Sequence, residues 1–162
     1  MKIRSLLGAT AVLMGMAIPA TAGAQVRLTG LAGVDWMNRA PTSLSLRAEG
    51  TLSPIPWLHV GAYATSLSAL EQSGSGYSVG GLAALRPGIP GTSVDPMAFV
   101  SLGYQRTPGE TWERGAVLQV GGGLVFHTLP FLDLELRAAY VQSLESSDSN
   151  GLTAAVGLSL HP

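Results

Sequence analysis

Leu132-Asp133-Leu134-Glu135-Leu136-Arg137-Ala138-Ala139-Tyr140-Val141 alternates without a break. Its even positions are apolar or aromatic, and its odd positions carry Asp133, Glu135 and Arg137 before ending on Ala139 and Val141. Successive side chains of a β-strand point to opposite faces, so this stretch has one apolar face and one face bearing two carboxylates and a guanidinium. A helix would turn Glu135 away from its two charged neighbours and break the apolar row.

Seven further segments read the same way, at residues 26–36, 43–52, 58–65, 77–86, 98–105, 116–127 and 152–161. Val26, Leu28, Gly30, Ala32, Val34 and Trp36 oppose Arg27, Thr29, Leu31, Gly33 and Asp35. Leu44, Leu46, Ala48, Gly50 and Leu52 oppose Ser43, Ser45, Arg47, Glu49 and Thr51. Across all eight segments the apolar face carries no charge. No stretch with helical period competes with the strands.

The second face selects the architecture. A soluble barrel turns its apolar face inward, whereas a transmembrane barrel turns it to lipid. Here the other face is rich in Gly, Ala, Ser and Thr and also holds Leu31, Leu82, Met97, Phe99, Val117 and Val125. That is a poor surface for water and a good narrow lumen. Only 12% of the 162 residues are charged, against about 25% in soluble domains. In hydrocarbon every backbone N–H and C=O needs an internal partner, which strands achieve only by closing. The expectation is an all-β, eight-stranded, antiparallel up-and-down transmembrane barrel.

The N-terminus stands apart. Lys2 and Arg4 precede an apolar stretch at residues 6–18, Pro19 follows, and Ala22-Gly23-Ala24 satisfies the small-residue rule of signal peptidase. Residues 1–24 are read as a cleaved signal peptide and residues 25–162 as the outer-membrane barrel domain. Cleavage removes the sole lysine and leaves seven arginines against ten carboxylates, a net −3. The absence of cysteine excludes a disulfide framework, a thiolate zinc site and a lipid-modified cysteine. A pI near 6.3 gives no reason to expect nucleic acid.

The connections alternate in character. Residues 38–42, 68–76, 107–114 and 143–150 are polar, while 53–56 and 128–130 are short, apolar and marked by proline. Outer-membrane barrels have short periplasmic turns and longer external loops, which puts both termini in the periplasm. Residues 87–96 depart from this pattern as a long connection on the short-turn side, and their prolines and glycines point to an ordered turn. Trp36, Tyr77, Tyr104 and Tyr140 fall at the external ends of strands, and Trp57, Phe126 and Phe131 at the periplasmic ends. That is the arrangement of two aromatic girdles at the headgroup layers.

With its export signal, eight alternating segments, Pro54-Ile55-Pro56-Trp57 and Leu129-Pro130-Phe131-Leu132 at turns and a final strand ending Gly157-Leu158-Ser159-Leu160-His161, the chain resembles the small outer-membrane barrels of Gram-negative bacteria, the OmpX/OmpA membrane-domain type. The resemblance covers residues 25–162 and selects no subfamily. It implies the outer membrane as location, with outer-membrane lipids, the barrel-assembly machinery and a surface partner of unknown identity as partners. Such barrels usually end on an aromatic residue that the assembly machinery reads, and this chain ends His161-Pro162.

Chemistry is sparse. Gly76-Tyr77-Ser78-Val79-Gly80 matches the serine-hydrolase elbow, but the elbow needs a following helix. His59, His127 and His161 read as polar rim residues, without the spacing of a metal site. Some relatives in the resembled family modify lipid A. The deacylase type implies a His-x-Ser pair, which none of the three histidines forms, and the palmitoyltransferase type implies an external-side histidine, which is absent. A soluble, lipocalin-like binder would need the two faces inverted.

Eight charges have lumen parity: Arg27, Asp35, Arg47, Glu49, Arg86, Asp133, Glu135 and Arg137. Four are positive and four negative. Arg47, Glu49, Asp133, Glu135 and Arg137 are expected to form an ion-pair network that fills the lumen. The reading is therefore a non-enzymatic outer-membrane barrel with a structural or surface-interaction role, no cofactor and no metal; a lipid A-modifying enzyme is the alternative.

Overall fold

Eight strands make up most of the molecule: β1 (Gln25–Met37), β2 (Ala40–Ile55), β3 (Leu58–Ala69), β4 (Ser75–Leu85), β5 (Val94–Arg106), β6 (Arg114–Leu129), β7 (Leu132–Ser143) and β8 (Asn150–Leu160). The computed structural model describes residues 25–38, 40–70, 74–106, 114–145 and 149–161. The expected signal peptide, residues 1–24, lies outside the described residues, as do parts of all four polar connections.

Each strand pairs antiparallel with its neighbour in sequence, and β8 pairs with β1. The sheet is a closed barrel with no free edge, so every strand has two neighbours. Val26 lies opposite Leu52, and the pairs continue through Val60, Ala83, Val100, Val120, Tyr140 and Leu152 back to β1 at Trp36. One circuit therefore climbs ten residues, from Val26 to Trp36. A rise of about 3.3 Å per residue and a strand spacing of about 4.8 Å convert that stagger to a tilt of about 40° and a backbone radius of about 8 Å. Long side chains from opposite walls meet inside such a cylinder.

The alternation sorts the side chains as the sequence requires. Leu46, Leu102, Val120, Leu152 and Leu158 stand on the outside, more than half exposed. Thr29, Leu31, Tyr63, Leu82, Phe99, Val125 and Val141 are buried in the interior.

The strands are longer than the hydropathy pattern suggests, and the turns correspondingly tighter. β2 begins at Ala40, which pairs with Met37, so the expected loop at 38–42 shrinks to two residues. Asn38 secures this end, its N–H donating to the Asn150 carbonyl at 2.9 Å. At the other end β2 continues through Pro54, where the register shifts between Leu52 and Ile55. A proline is tolerated at such an irregularity because the ladder is already interrupted. Pro56-Trp57 and Pro130-Phe131 are the actual turns.

The long connection is also shorter than expected, because β5 starts at Val94. Residues 94–96 pair with Leu124–Phe126 beyond the last β4–β5 pair, Leu85 with Ala98. Residues 86–93 are tied down. Asp95 Oδ1 accepts the Ile89 N–H at 3.0 Å, Thr92 Oγ1 donates to the Ile89 carbonyl at 3.0 Å, and the His127 N–H donates to the Ser93 carbonyl at 2.9 Å. Gly91 takes a φ of 80°, which a side chain would strain.

Three substitutions, two on the outer face and one on the inner, test this register. Val156→Arg, on the outer face near mid-strand, should cost about 2–4 kcal/mol on unfolding from lipid vesicles. On the inner face a Cβ at Gly121 would fall 2.6 Å from the Ala139 Cβ, whereas one at Gly30, on the outer face, meets nothing within 4 Å. Gly121→Ala should therefore lose about 1–3 kcal/mol and Gly30→Ala almost none. Equal losses for the two alanine variants in urea titrations would contradict the assignment of faces.

Candidate functional site

The lumen's charge is concentrated from mid-height to the end that carries the chain termini. At mid-height, Arg137 of β7 reaches across to Glu49 of β2, with Nη1 2.7 Å from Oε1. Its Nη2 and Nε donate to Glu135 Oε2 at 2.6 and 2.9 Å. Arg47 Nε lies 2.6 Å from the same Glu49 Oε1. One carboxylate thus serves two arginines, and one arginine serves two carboxylates.

Neutral groups complete this layer. Arg47 Nη1 donates to Gln119 Oε1 at 2.7 Å, and that oxygen also accepts from Ser101 Oγ at 3.0 Å. The Arg47 guanidinium lies over the Tyr63 ring, 3.8 Å from its centre. A weakly hydrated planar cation against an aromatic face is a favourable arrangement away from water.

The chain of charge continues towards the termini. Arg86 Nη2 contacts Glu135 Oε1 at 2.8 Å, and Arg27 pairs with Asp133. Asp133 also meets His127 Nδ1 at 2.9 Å and His161 Nε2 at 3.2 Å. His127 Nε2 in turn meets Asp95 Oδ2 at 2.8 Å. Glu49, Asp133 and Glu135 are at most 2% exposed, and each faces at least one arginine.

The structure therefore brings Arg47, Glu49, Glu135 and Arg137 into one cluster and joins Asp133 to it through Arg27, which lies 4.0 Å from Glu135. One point differs from the sequence reading. Arg27 and Arg86, there placed only on the lumen face, are members of the cluster. Glu49 has two arginines, so loss of Arg47 leaves it paired. Asp35 stands apart in the other half of the lumen, beside the small residues Ser45 and Thr153.

That half is mostly uncharged. Leu31, Leu67, Ser45, Thr65, Ser78 and Thr153, with Asp35, surround a cavity of about 40 Å³, whose floor is Arg47, Phe99, Gln119 and Arg137. A space of this size is large enough to hold ordered water.

The residues considered for catalysis fall into the wall or the network. Ser78 is buried within β4, with its Oγ 3.2 Å from the Tyr63 hydroxyl, and no helix follows. Asp133 and Glu135 are held by arginines. The hairpin turn brings together a pair that sequence spacing does not suggest, Ser53 Oγ and His59 Nδ1 at 2.6 Å. Among the described residues no group of three or more His, Asp or Glu is arranged to hold a metal ion.

The aromatic residues named from the sequence take two levels. Trp36, Tyr77, Tyr104 and Tyr140 stand on the outer face towards the loop end, each between 41% and 48% exposed. Trp57 and Phe131 project from the turns at the termini end and Phe126 lies just inside it. Trp112 lies outside the described residues.

No family profile and no curated protein matches the sequence. Solved structures do match the fold. The N-terminal β-barrel domain of Pseudomonas aeruginosa OprF superposes with a TM-score of 0.70 at 12% identity, covering 85% of this chain and 97% of that one. Neisserial surface protein A gives 0.64 at 16% identity, covering 86% and 97%. The outer membrane enzyme PagL gives 0.59 at 13% identity, covering 82% and 98%. At these identities the likeness is one of architecture: the chain has the fold of the small eight-stranded outer-membrane barrels.

The shared carboxylate decides which pair is coupled most strongly. Arg137→Met strips a cation from both Glu49 and Glu135 and should cost about 3–5 kcal/mol on urea unfolding in lipid vesicles. Arg47→Met leaves Glu49 paired and should cost less. In double-mutant cycles with Glu49→Gln, the Arg137 coupling should reach about 1–3 kcal/mol and exceed the Arg47 coupling. Additive losses for both pairs would mean that the lumen is water-filled.

Proposed function

We propose that this protein is an outer-membrane barrel that acts through its outer surface and loops, its lumen being closed by its own side chains. The observation that carries this reading is the bridge from Glu49 through Arg137 to Glu135, which joins β2 to β7 across the interior. A radius of about 8 Å leaves little space once two arginines and two glutamates meet at mid-height. Buried charges also require partners, so moving any one of them to admit a solute leaves others unmatched.

The outer surface supports insertion in a bilayer. Its apolar belt is continuous around a sheet without edges, and its ends carry two rows of Trp, Tyr and Phe at the levels where headgroups would lie. Outer-membrane lipids are then the first partner, the barrel-assembly machinery the second, and a surface partner reached by the loops the third. The two-residue turns at 56–57 and 130–131 share an end with both termini, and the longer connections at 70–74, 107–113 and 144–149 share the other. Short turns on the periplasmic side give periplasmic termini and external loops.

A lipid-modifying enzyme of the same fold would need a base and a hydroxyl beside the lipid. Ser53 and His59 are paired, but both are buried on the lumen side of the barrel, away from the lipid-facing surface. This supports the non-enzymatic reading.

Two measurements test the proposal. The purified protein in planar bilayers should show no steady conductance, and a large, steady single-channel current in wild type would move the function to transport. On intact cells an epitope inserted at Ser147 should bind antibody, while one at Gly91 should do so only after the outer membrane is permeabilised. The reverse labelling would invert the orientation.

A further inference from the structure

The termini end of the barrel opens onto a depression of about 510 Å³, lined by Gln25, Arg27, Trp57, His59, Arg86 and Asp95 among others. Three of these side chains are basic. Arg86 carries the most information. It is 6% exposed, and its Nη2 forms an ion pair with Glu135 Oε1 at 2.8 Å. Nε and Nη1 are closed to solvent and make no hydrogen bond within the protein. A guanidinium presents five N–H donors in a planar fork that matches the two oxygens of a carboxylate or phosphate. Leaving charged donors unmatched inside a protein is costly.

The neighbouring carboxylates cannot supply the missing acceptors. Glu135 already takes Arg137 on its other oxygen. Asp133 is occupied by Arg27, His127 and His161. Asp95 is occupied by His127 and the Ile89 N–H. His59 Nδ1 is engaged by Ser53, so when that hydroxyl donates, the remaining ring nitrogen carries a hydrogen. Donors are in surplus around this depression, and its acidic groups are committed elsewhere.

We propose that this mouth binds a small oxyanion, a phosphate or carboxylate group, with Arg86 turning its unmatched edge out to meet it as principal ligand and Arg27 and His59 beside it. The half-exposed indole of Trp57 on the rim meets whatever organic part the anion carries. A phosphate could reach this site free in solution or as the headgroup of a lipid in the adjoining leaflet, and both present the same oxygens. The site is independent of whether the lumen conducts.

The test uses the ¹⁵N-labelled protein in maltoside micelles, which contain no phosphate, and follows the Trp57 indole N–H by NMR. Sodium phosphate in one arm and short-chain phosphatidylglycerol in the other are titrated against sodium chloride at equal ionic strength. A saturable shift beyond the chloride control is expected in at least one arm, and the tighter arm identifies the source. Arg86→Gln should weaken that binding about tenfold or more. His59→Gln leaves the Arg86–Glu135 pair in place and should weaken it about fivefold, so it decides the matter if Arg86→Gln does not fold. Chloride-like curves in both arms, or saturable binding unchanged in every variant that folds, would overturn the proposal.

Discussion

Closure of the sheet with a stagger of ten residues is the constraint on which the rest depends. It sets a radius of about 8 Å, and that radius decides what the interior can hold. A wider cylinder would leave Glu49 and Arg137 on separate walls, each hydrated. At this radius they meet at 2.7 Å, and the burial of one commits the burial of the next. Arg137 must serve Glu135, Glu135 must serve Arg86, and the sequence of shared partners runs on through Arg27 to Asp133 and its two histidines. The charges form a chain because none of them could be stable alone.

The two faces of the sheet divide the physical work. Outside, apolar side chains and rows of aromatic rings make a surface whose natural solvent is hydrocarbon. Inside, the termini half is ionic and the loop half consists mostly of small and apolar residues around a small cavity. This asymmetry along the axis means that the two mouths differ in kind. The mouth at the termini is crowded with partly satisfied donors, and the other is lined mostly by small side chains. A surface partner would meet the loops, while a small anion would find its contacts at the opposite end.

The strand count, the antiparallel order and the sorting of residues between faces were legible from period-two alternation, because a slip of one residue would put Glu135 or Arg47 among leucines. Which lumen residues touch was not. Parity gives the side of the wall a residue occupies, whereas its height relative to a distant strand depends on the stagger, which no local pattern encodes. Arg27 on β1 and Arg86 after β4 could therefore be placed in the lumen but not beside Asp133 and Glu135 on β7. The turn ends were also hidden. Pro54 and Pro96 look like strand terminators, yet the first sits at a register shift and the second beyond the last β4–β5 pair. The Ser53–His59 contact follows from that same shift and could not be read from their spacing.

The claim at the centre of this account is that the Arg137 guanidinium is clamped between Glu49 and Glu135, shielded from water. ¹⁵N NMR of the arginine side chains, in protein reconstituted in lipid nanodiscs at neutral pH, observes this directly. A clamped guanidinium gives separate, slowly exchanging Nη resonances, with a shift that moves when Glu49 is changed to Gln. Averaged Nη signals that exchange with water as rapidly as an exposed arginine would contradict the account, since they would mean a hydrated lumen with side chains free to part.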